Sequence, residues 1–277
     1  MSGSERYAMF RFPVVSGRFY PGTRSFLEER IDDLIDRKAP AEEVLGALSP
    51  HAGYNFSGAV AGAVISRIKF KDTFIILGPN HTGLGQPYSI MVEGTWRTPL
   101  GDMEIDSEMA KAILGSSSYL QRDEKAHLGE HSIEVQLPFL QYFQDDVKFV
   151  PIVLMGDASG DVYRDIGKGI AKAIKESNGK VVIMASSDMS HYESQEVAKE
   201  NDFKAIEAIL ALDADELLKR IKDHNITMCG YAPVATMIHA CKELGAKKAE
   251  LVMYQTSGDV TGDFHRVVGY AGVIIKK

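Results

Sequence analysis

The chain has 277 residues, 45% of them hydrophobic and 25% charged, an ordinary globular composition with enough apolar content for a sizeable core. Its 31 Lys and Arg against 38 Asp and Glu give a net charge of −7, and the basic residues are scattered, so neither nucleic acid nor an anionic membrane is an expected partner. Two cysteines with no CxxC pair exclude a disulfide framework and a zinc ribbon, and no apolar run approaches the roughly 20 residues of a membrane span; with no signal peptide visible, a cytoplasmic setting is expected.

The first predicted helix covers residues 26–36, where Leu27, Ile31, Leu34 and Ile35 form one apolar stripe and Ser25 with Glu28 has capping-box spacing. An apolar run at 44–48 stops at Ser49-Pro50-His51-Ala52-Gly53-Tyr54, which reads as a strand end and its loop. A helix follows at 59–68. The run 73–77 then stops at Gly78-Pro79-Asn80-His81 in the same manner. Residues 88–105, punctuated by Gly94 and Pro99-Leu100-Gly101, read as a hairpin and predict some antiparallel pairing.

Further along, helix 134–143 precedes strand 148–155, and helix 162–175 precedes strand 181–185, which ends at Ser186-Ser187-Asp188-Met189-Ser190-His191. Helices are expected at 193–211, 215–224 and 233–244, and strands at 251–254 and 267–275. The polar connection 257–266 reads as solvated, Asp259, Asp263 and His265 included. Alternating strands and helices, with apolar strand runs, predict one α/β domain: a central mixed, largely parallel sheet covered by helices on both faces.

In such a sheet, ligands gather outside the carboxyl ends of the strands. His51, His81 and His191 all fall there, with Asp188 three residues before His191. Each alone reads as an ordinary loop histidine; their recurrence at equivalent positions is the signal. Cys229 precedes a helix with Pro233 near its first turn, a position that favours thiolate for metal ligation or nucleophilic attack. Cys241 lies in an amphipathic stretch with Met237, Ile238 and Leu244 and reads as core.

The stretch His127-Leu128-Gly129-Glu130-His131-Ser132-Ile133-Glu134 competes for attention. His127 and His131 have i, i+4 spacing, but Gly129 intervenes and the glutamate does not fit HExxH. Ser132 reads as a cap for the following helix, His127 as exposed, and His131 and Glu134 as facing the pocket. No dinucleotide fingerprint, phosphate loop or nucleophile elbow is present.

Together, Gly17-Arg18-Phe19-Tyr20-Pro21, Pro50-His51-Ala52-Gly53-Tyr54, Gly78-Pro79-Asn80-His81, Glu130-His131-Ser132-Ile133-Glu134, Ser187-Asp188-Met189-Ser190-His191-Tyr192 and Cys229-Gly230 resemble the Memo family. They occur in family order across nearly the whole chain. The resemblance implies a fold like that of class III extradiol dioxygenases. It also implies His51, His81 and Cys229 as metal ligands, His191 as pocket acid/base with Asp188 beside it, and His131 as a further histidine, either behind the ligands or on the oxygen side. Iron(II) is the cofactor it implies first, with copper or zinc also compatible with two imidazoles and a sulfur. A thiolate in place of the usual carboxylate departs from simple extradiol chemistry.

Three functions are consistent with this: redox chemistry on an unidentified small molecule, metal-assisted hydrolysis, or binding of a peptide or anionic group without turnover, with Tyr54 and Tyr192 lining the pocket. The resemblance further implies an AMMECR1-like protein and a radical-SAM enzyme as pathway partners.

Overall fold

The computed structural model describes residues 9–156, 159–177 and 180–277. In chain order the first half comprises β1 (Phe10–Arg11), α1 (Arg24–Leu34), β2 (Gly46–Ser49), α2 (Tyr54–Ser66), β3 (Thr73–Pro79), β4 (Tyr88–Ile90), β5 (Thr95–Thr98), β6 (Gly101–Glu104), α3 (Ser107–Leu114), β7 (Gln121–Arg122) and α4 (Lys125–Leu128). A 3-10 turn (Glu134–Gln136) leads into α5 (Leu137–Phe143), followed by β8 (Lys148–Leu154), α6 (Gly160–Glu176), β9 (Val181–Ser186) and β10 (His191–Glu193). Then come α7 (Gln195–Leu210), α8 (Ala214–Asp223), α9 (Tyr231–Glu243), β11 (Lys248–Thr256), α10 (Gly258–Thr261) and β12 (Val267–Lys276).

The apolar runs that stop at histidine become the middle of the main sheet. Its order is β10-β12-β2-β9-β3-β8-β4-β7, with β11 paired to β12. Strands β2, β9, β3 and β8 are mutually parallel, whereas β12 and β4 run antiparallel to their neighbours β2 and β8. Every residue of β3 is buried, which is why Phe74, Ile75, Ile76 and Leu77 show no apolar/polar alternation. Full burial of each such side chain is worth about 1.5–3 kcal/mol.

Helices cover both faces. Helix α2 packs on β2, β11 and β12 with α1 and α5 outside it, and α9 crosses β2, β9, β3 and β8 beneath α6 and α8. Cys241 of α9 is fully buried against Gly46 of β2, as its amphipathic context predicts. Because the last strand pairs with β2 and β9 sits between β2 and β3, the chain forms a single α/β domain of mixed sheet and flanking helices. Among the described residues, no helix is long and apolar enough to cross a membrane.

Local expectations fail where short-range patterns compete. Helix α1 starts at Arg24 with Thr23 at its N-cap position and no side-chain cap, so Ser25 lies inside it and Glu28 pairs with Arg24 instead. Helix α2 begins at Tyr54, five residues before its apolar face becomes obvious. The hairpin is β5–β6, but it joins β1 in a separate three-stranded sheet. The antiparallel pairs of the main sheet are instead β4–β8, β12–β2, β10–β12 and β11–β12.

Candidate metal centre

The sheet order places three loops side by side. His51 follows β2, Asp188 follows β9 and His81 follows β3, and these are adjacent parallel strands ending at one edge. The N-terminus of α9 reaches the same edge and delivers Cys229. This approach requires Gly230: a Cβ there would lie 2.4 Å from Cβ of Ser187 and 2.5 Å from the Ser186 carbonyl oxygen. The amide of Gly230 donates instead to Ser187 Oγ at 2.8 Å.

His51, His81 and Cys229 each offer one ligand atom, and these atoms all lie within 4.8 Å of one another. Cys229 Sγ stands 3.3 Å from His51 Nε2. A sulfur at about 2.3 Å and a nitrogen at about 2.0 Å from one cation would be roughly 3.3–3.5 Å apart at angles near tetrahedral. Cys229 Sγ and His51 Nε2 are therefore spaced for a shared ion, with a ligand atom of His81 within 4.8 Å of both.

The hydrogen bonds behind each ring fix which nitrogen is free. Ser186 Oγ donates its single proton to the Ser132 carbonyl at 2.7 Å and accepts from Gln136 Nε2 at 2.8 Å. Its 2.9 Å contact with His51 Nδ1 must then be donated by the ring, leaving the Nε2 lone pair facing Cys229. His81 Nδ1 donates to the Glu130 carboxylate at 2.9 Å, which likewise frees Nε2. Carboxylate or polar partners behind ligand imidazoles are the common arrangement at metal sites, because they set the tautomer and aim the ring.

Electrostatics divide the donors. Burial, reinforced by the neighbouring His81 and His131, pulls His51 well below its ordinary pKa and keeps it neutral. For His81, burial is outweighed by the hydrogen bond and charge of Glu130, so its pKa rises. Glu130 is itself pushed down to about 2: burial opposes ionisation, but His81 and the Ser132 amide overcome it. Burial and the Asp188 charge push the Cys229 thiol up, despite an amide of Asp188 donating to the sulfur at 3.3 Å. The helix-start effect expected from sequence is thus overridden in the metal-free protein. A bound cation supplies the charge that ligation by thiolate requires.

Glu130 is the residue that sequence reading left without a role. Fully buried, it accepts from the amide of His81 (2.6 Å), the amide of His131 (2.9 Å) and the amide of Ser132 (2.8 Å) as well as from the His81 ring. It therefore ties the two histidine loops together. Its place next to His131 is the one hint in the sequence, and spacing alone pairs it with nothing. His131 stacks on His81 with ring centroids 4.8 Å apart and meets the edge of Phe19 at 5.0 Å. It borders His51 and His81.

Asp188 and His191 also converge, though differently from expectation. Asp188 Oδ1 accepts from the amides of His51 (2.8 Å) and Ala52 (3.3 Å), so its carboxylate anchors the ligand loop. The group that orients His191 is Thr227, whose carbonyl accepts from Nδ1 at 2.9 Å and whose Oγ1 accepts from the His191 amide at 2.7 Å. A carbonyl can only accept, so His191 Nε2 carries the lone pair. His191 is near enough for its charge to act on both His51 and Asp188.

Four expectations are overturned. Glu134 does not face the pocket: its carboxylate pairs with Arg11 at 2.8 Å and accepts from the Val15 amide (3.0 Å) and the Tyr20 hydroxyl (2.7 Å). His127 is buried rather than exposed, donating from Nε2 to Ser89 Oγ at 3.0 Å, because α4 folds inward against β8. Tyr54 belongs to the core, its ring tilted at 32° against Phe139 with centroids 4.7 Å apart and its hydroxyl donating to the Val135 carbonyl at 2.8 Å. Ser132, moreover, bonds the Pro79 carbonyl rather than capping a helix.

A family profile described as "Memo-like protein" matches residues 11–274. A "MEMO1 family protein" of Methanococcoides burtonii is 47% identical over 268 residues, covering 96% of this chain and all of that one. One from Methanopyrus kandleri is 41% identical, covering 97% of this chain and 100% of its own. The crystal structure of the uncharacterized protein JW3007 from Escherichia coli K12 superposes with a TM-score of 0.55 over 84% of this chain and 100% of that chain, at 9% identity, a likeness of fold alone. With a profile spanning almost the full length and relatives above 40% identity, the chain belongs to the Memo family.

Proposed function

We propose that this chain is a metal-dependent redox protein of dioxygenase-like type, acting on a small molecule, with His51 Nε2, His81 Nε2 and Cys229 Sγ as ligands. The observation that carries the reading is the meeting of three donors within 4.8 Å, both imidazoles having Nδ1 committed behind them. Two nitrogens and a soft sulfur suit iron(II) or copper better than magnesium or calcium. Such an ion, when bound, supplies Lewis acidity and one-electron chemistry. The protein's part is to hold the donors through Ser186, Glu130 and Asp188, and to present His191 Nε2 as the atom that takes up or releases a proton. The same proposal places the protein in the cytoplasm, in a pathway with an AMMECR1-like protein and a radical-SAM enzyme.

Elemental analysis of protein purified without chelator or histidine tag tests the reading. Near-stoichiometric iron or copper is expected in the parent and none in His51→Ala or Cys229→Ala. Equal metal in all three defeats it.

A second reading is a binding module that uses the same pocket for a peptide or anionic ligand without turnover. The exposed Tyr192 ring beside His191, with centroids 5.9 Å apart, favours it. Oxygen consumption by the metal-loaded protein across a panel of small reductants separates the two, since a binding module consumes none.

A further inference from the structure

The wall of the candidate centre that carries His191 has two features the metal reading does not use. The first is Tyr192. Its φ of 63° lies in the left-handed region, which a bulky aromatic residue rarely occupies, and its side chain is 66% exposed. It sits at a register shift: His191 pairs with Val268 and Glu193 with Val267, so Tyr192 has no partner on β12. Such bulges re-aim a side chain that regular pleating would send elsewhere. Here the ring is turned to lie beside His191.

The second is Arg266, the residue just before β12. Its guanidinium carbon lies 5.5 Å from the centroid of the Tyr192 ring. Among the described residues it is the one arginine with neither an ion pair nor a hydrogen bond; the others pair with carboxylates or, as Arg18 and Arg30 do, with backbone carbonyls. Carboxylates close to it in sequence are engaged elsewhere. Asp263 accepts from the His265 amide at 2.9 Å, and Asp259 accepts from the Thr256 amide at 2.7 Å. In a chain of net charge −7 that pairs its other exposed arginines so thoroughly, this cation keeps its planar fork of donors open beside the site.

We infer that Arg266, held on the ring of Tyr192, is the anchor for an oxyanion on the molecule that enters this centre, so that the ligand is a small carboxylate or phosphate. Arg266 supplies two parallel N–H donors to the anion, and the bulged Tyr192 sets their direction by stacking. His191 Nε2, on the same wall, then faces the part of the ligand nearest the metal donors. The inference rests on the proposed function for the location of the reacting centre, but the anion anchor is a separate group on the connection that leads into β12.

Titration calorimetry with benzoate, phenyl phosphate and benzamide tests it on the full-length protein, in the parent, Arg266→Gln, Arg266→Lys, Tyr192→Leu and His51→Ala. The parent is expected to bind benzoate or phenyl phosphate at least about tenfold more tightly than neutral benzamide. The preferred anion tells carboxylate from phosphate. Arg266→Gln abolishes the preference, and Arg266→Lys and Tyr192→Leu each weaken it, because charge alone lacks the aimed fork. Equal binding of anion and amide by the parent overturns the inference. So does an anion preference that survives in Arg266→Gln but vanishes in His51→Ala, which assigns the anion to the metal and leaves the metal reading standing. Conversely, a preference lost in Arg266→Gln in protein that holds no metal upholds the anchor and removes the metal reading.

Discussion

Cys229 Sγ lies 3.3 Å from His51 Nε2, although 178 residues separate the two along the chain. The contact brings a soft donor to a nitrogen whose lone pair Ser186 has freed. The identity of that soft donor is expected to set which metal the site prefers. In Cys229→Asp the set becomes two imidazoles and a carboxylate, a harder combination. Copper(I) affinity should fall at least about tenfold while iron(II) is retained, as measured by competition with chromophoric chelators.

Glu130→Gln keeps the size of the side chain but removes the charge behind His81 and cannot accept all four of the hydrogen bonds present. Loss of such a partner typically lowers metal affinity 10–100-fold. The same competition assay reads the change, and an unaltered affinity would show that His81 is aimed by something else.

Gly230→Ala places a methyl group 2.4 Å from Ser187 Cβ and 2.5 Å from a carbonyl oxygen, neither of which is the end of a flexible side chain. Overpacking of this kind costs about 1–3 kcal/mol. Urea denaturation should register that loss, and metal content should fall with it because the start of α9 carries Cys229.

Arg11 and Glu134 form a fully buried pair at 2.8 Å, and Arg11 also donates to the carbonyls of His127 (2.8 Å) and Glu130 (2.6 Å). Removing one member, as in Arg11→Met, strands the other charge and costs about 3–5 kcal/mol. A drop in the urea midpoint is the expected result. The stretch 127–134 should then become accessible to hydrogen exchange before the central strands do.

His127 gives the protein an acid sensitivity with a defined window. Burial, helped by the Arg11 charge, holds its pKa down at about 3 against an ordinary 6.5. The unfolded chain therefore binds this proton first as pH falls, so the stability present above pH 6.5 is lost between about 6.5 and 3. By pH 4 the loss approaches roughly 3 kcal/mol. His127→Gln should flatten the dependence of unfolding free energy on pH in that interval. An unchanged slope would assign the sensitivity to other groups, Glu130 among them, whose depressed pKa acts in the same direction below about pH 4.5.

What could be read from the chain, and what could not, divides along the range of the forces involved. Strands β2, β3 and β9 announce themselves because a strand buried on both faces must be continuously apolar and must end where polar loop residues begin. Their terminal residues, including His51, His81 and Asp188, were legible for that reason. Cys229 was legible through Gly230 and Pro233 at a helix start. Glu130 was not, because its four hydrogen bonds exist only once β3 and the loop after α4 are brought together. The same limit explains Glu134 and His127: nothing near them in sequence signals that Arg11, over a hundred residues away, will claim the carboxylate of one and the carbonyl of the other. At Ser25 a local pattern was present, but Thr23 and Arg24 had already begun the helix.

The position of β9 between β2 and β3 has a consequence for biosynthesis. While a ribosome is still making the first half of the protein, both imidazole donors have been synthesised, yet the slot between their strands is empty and Cys229 has not been made. On the proposed reading, capture of an ion by the complete donor set waits for translation past Gly230, so metal loading would mark a molecule whose topology is already closed.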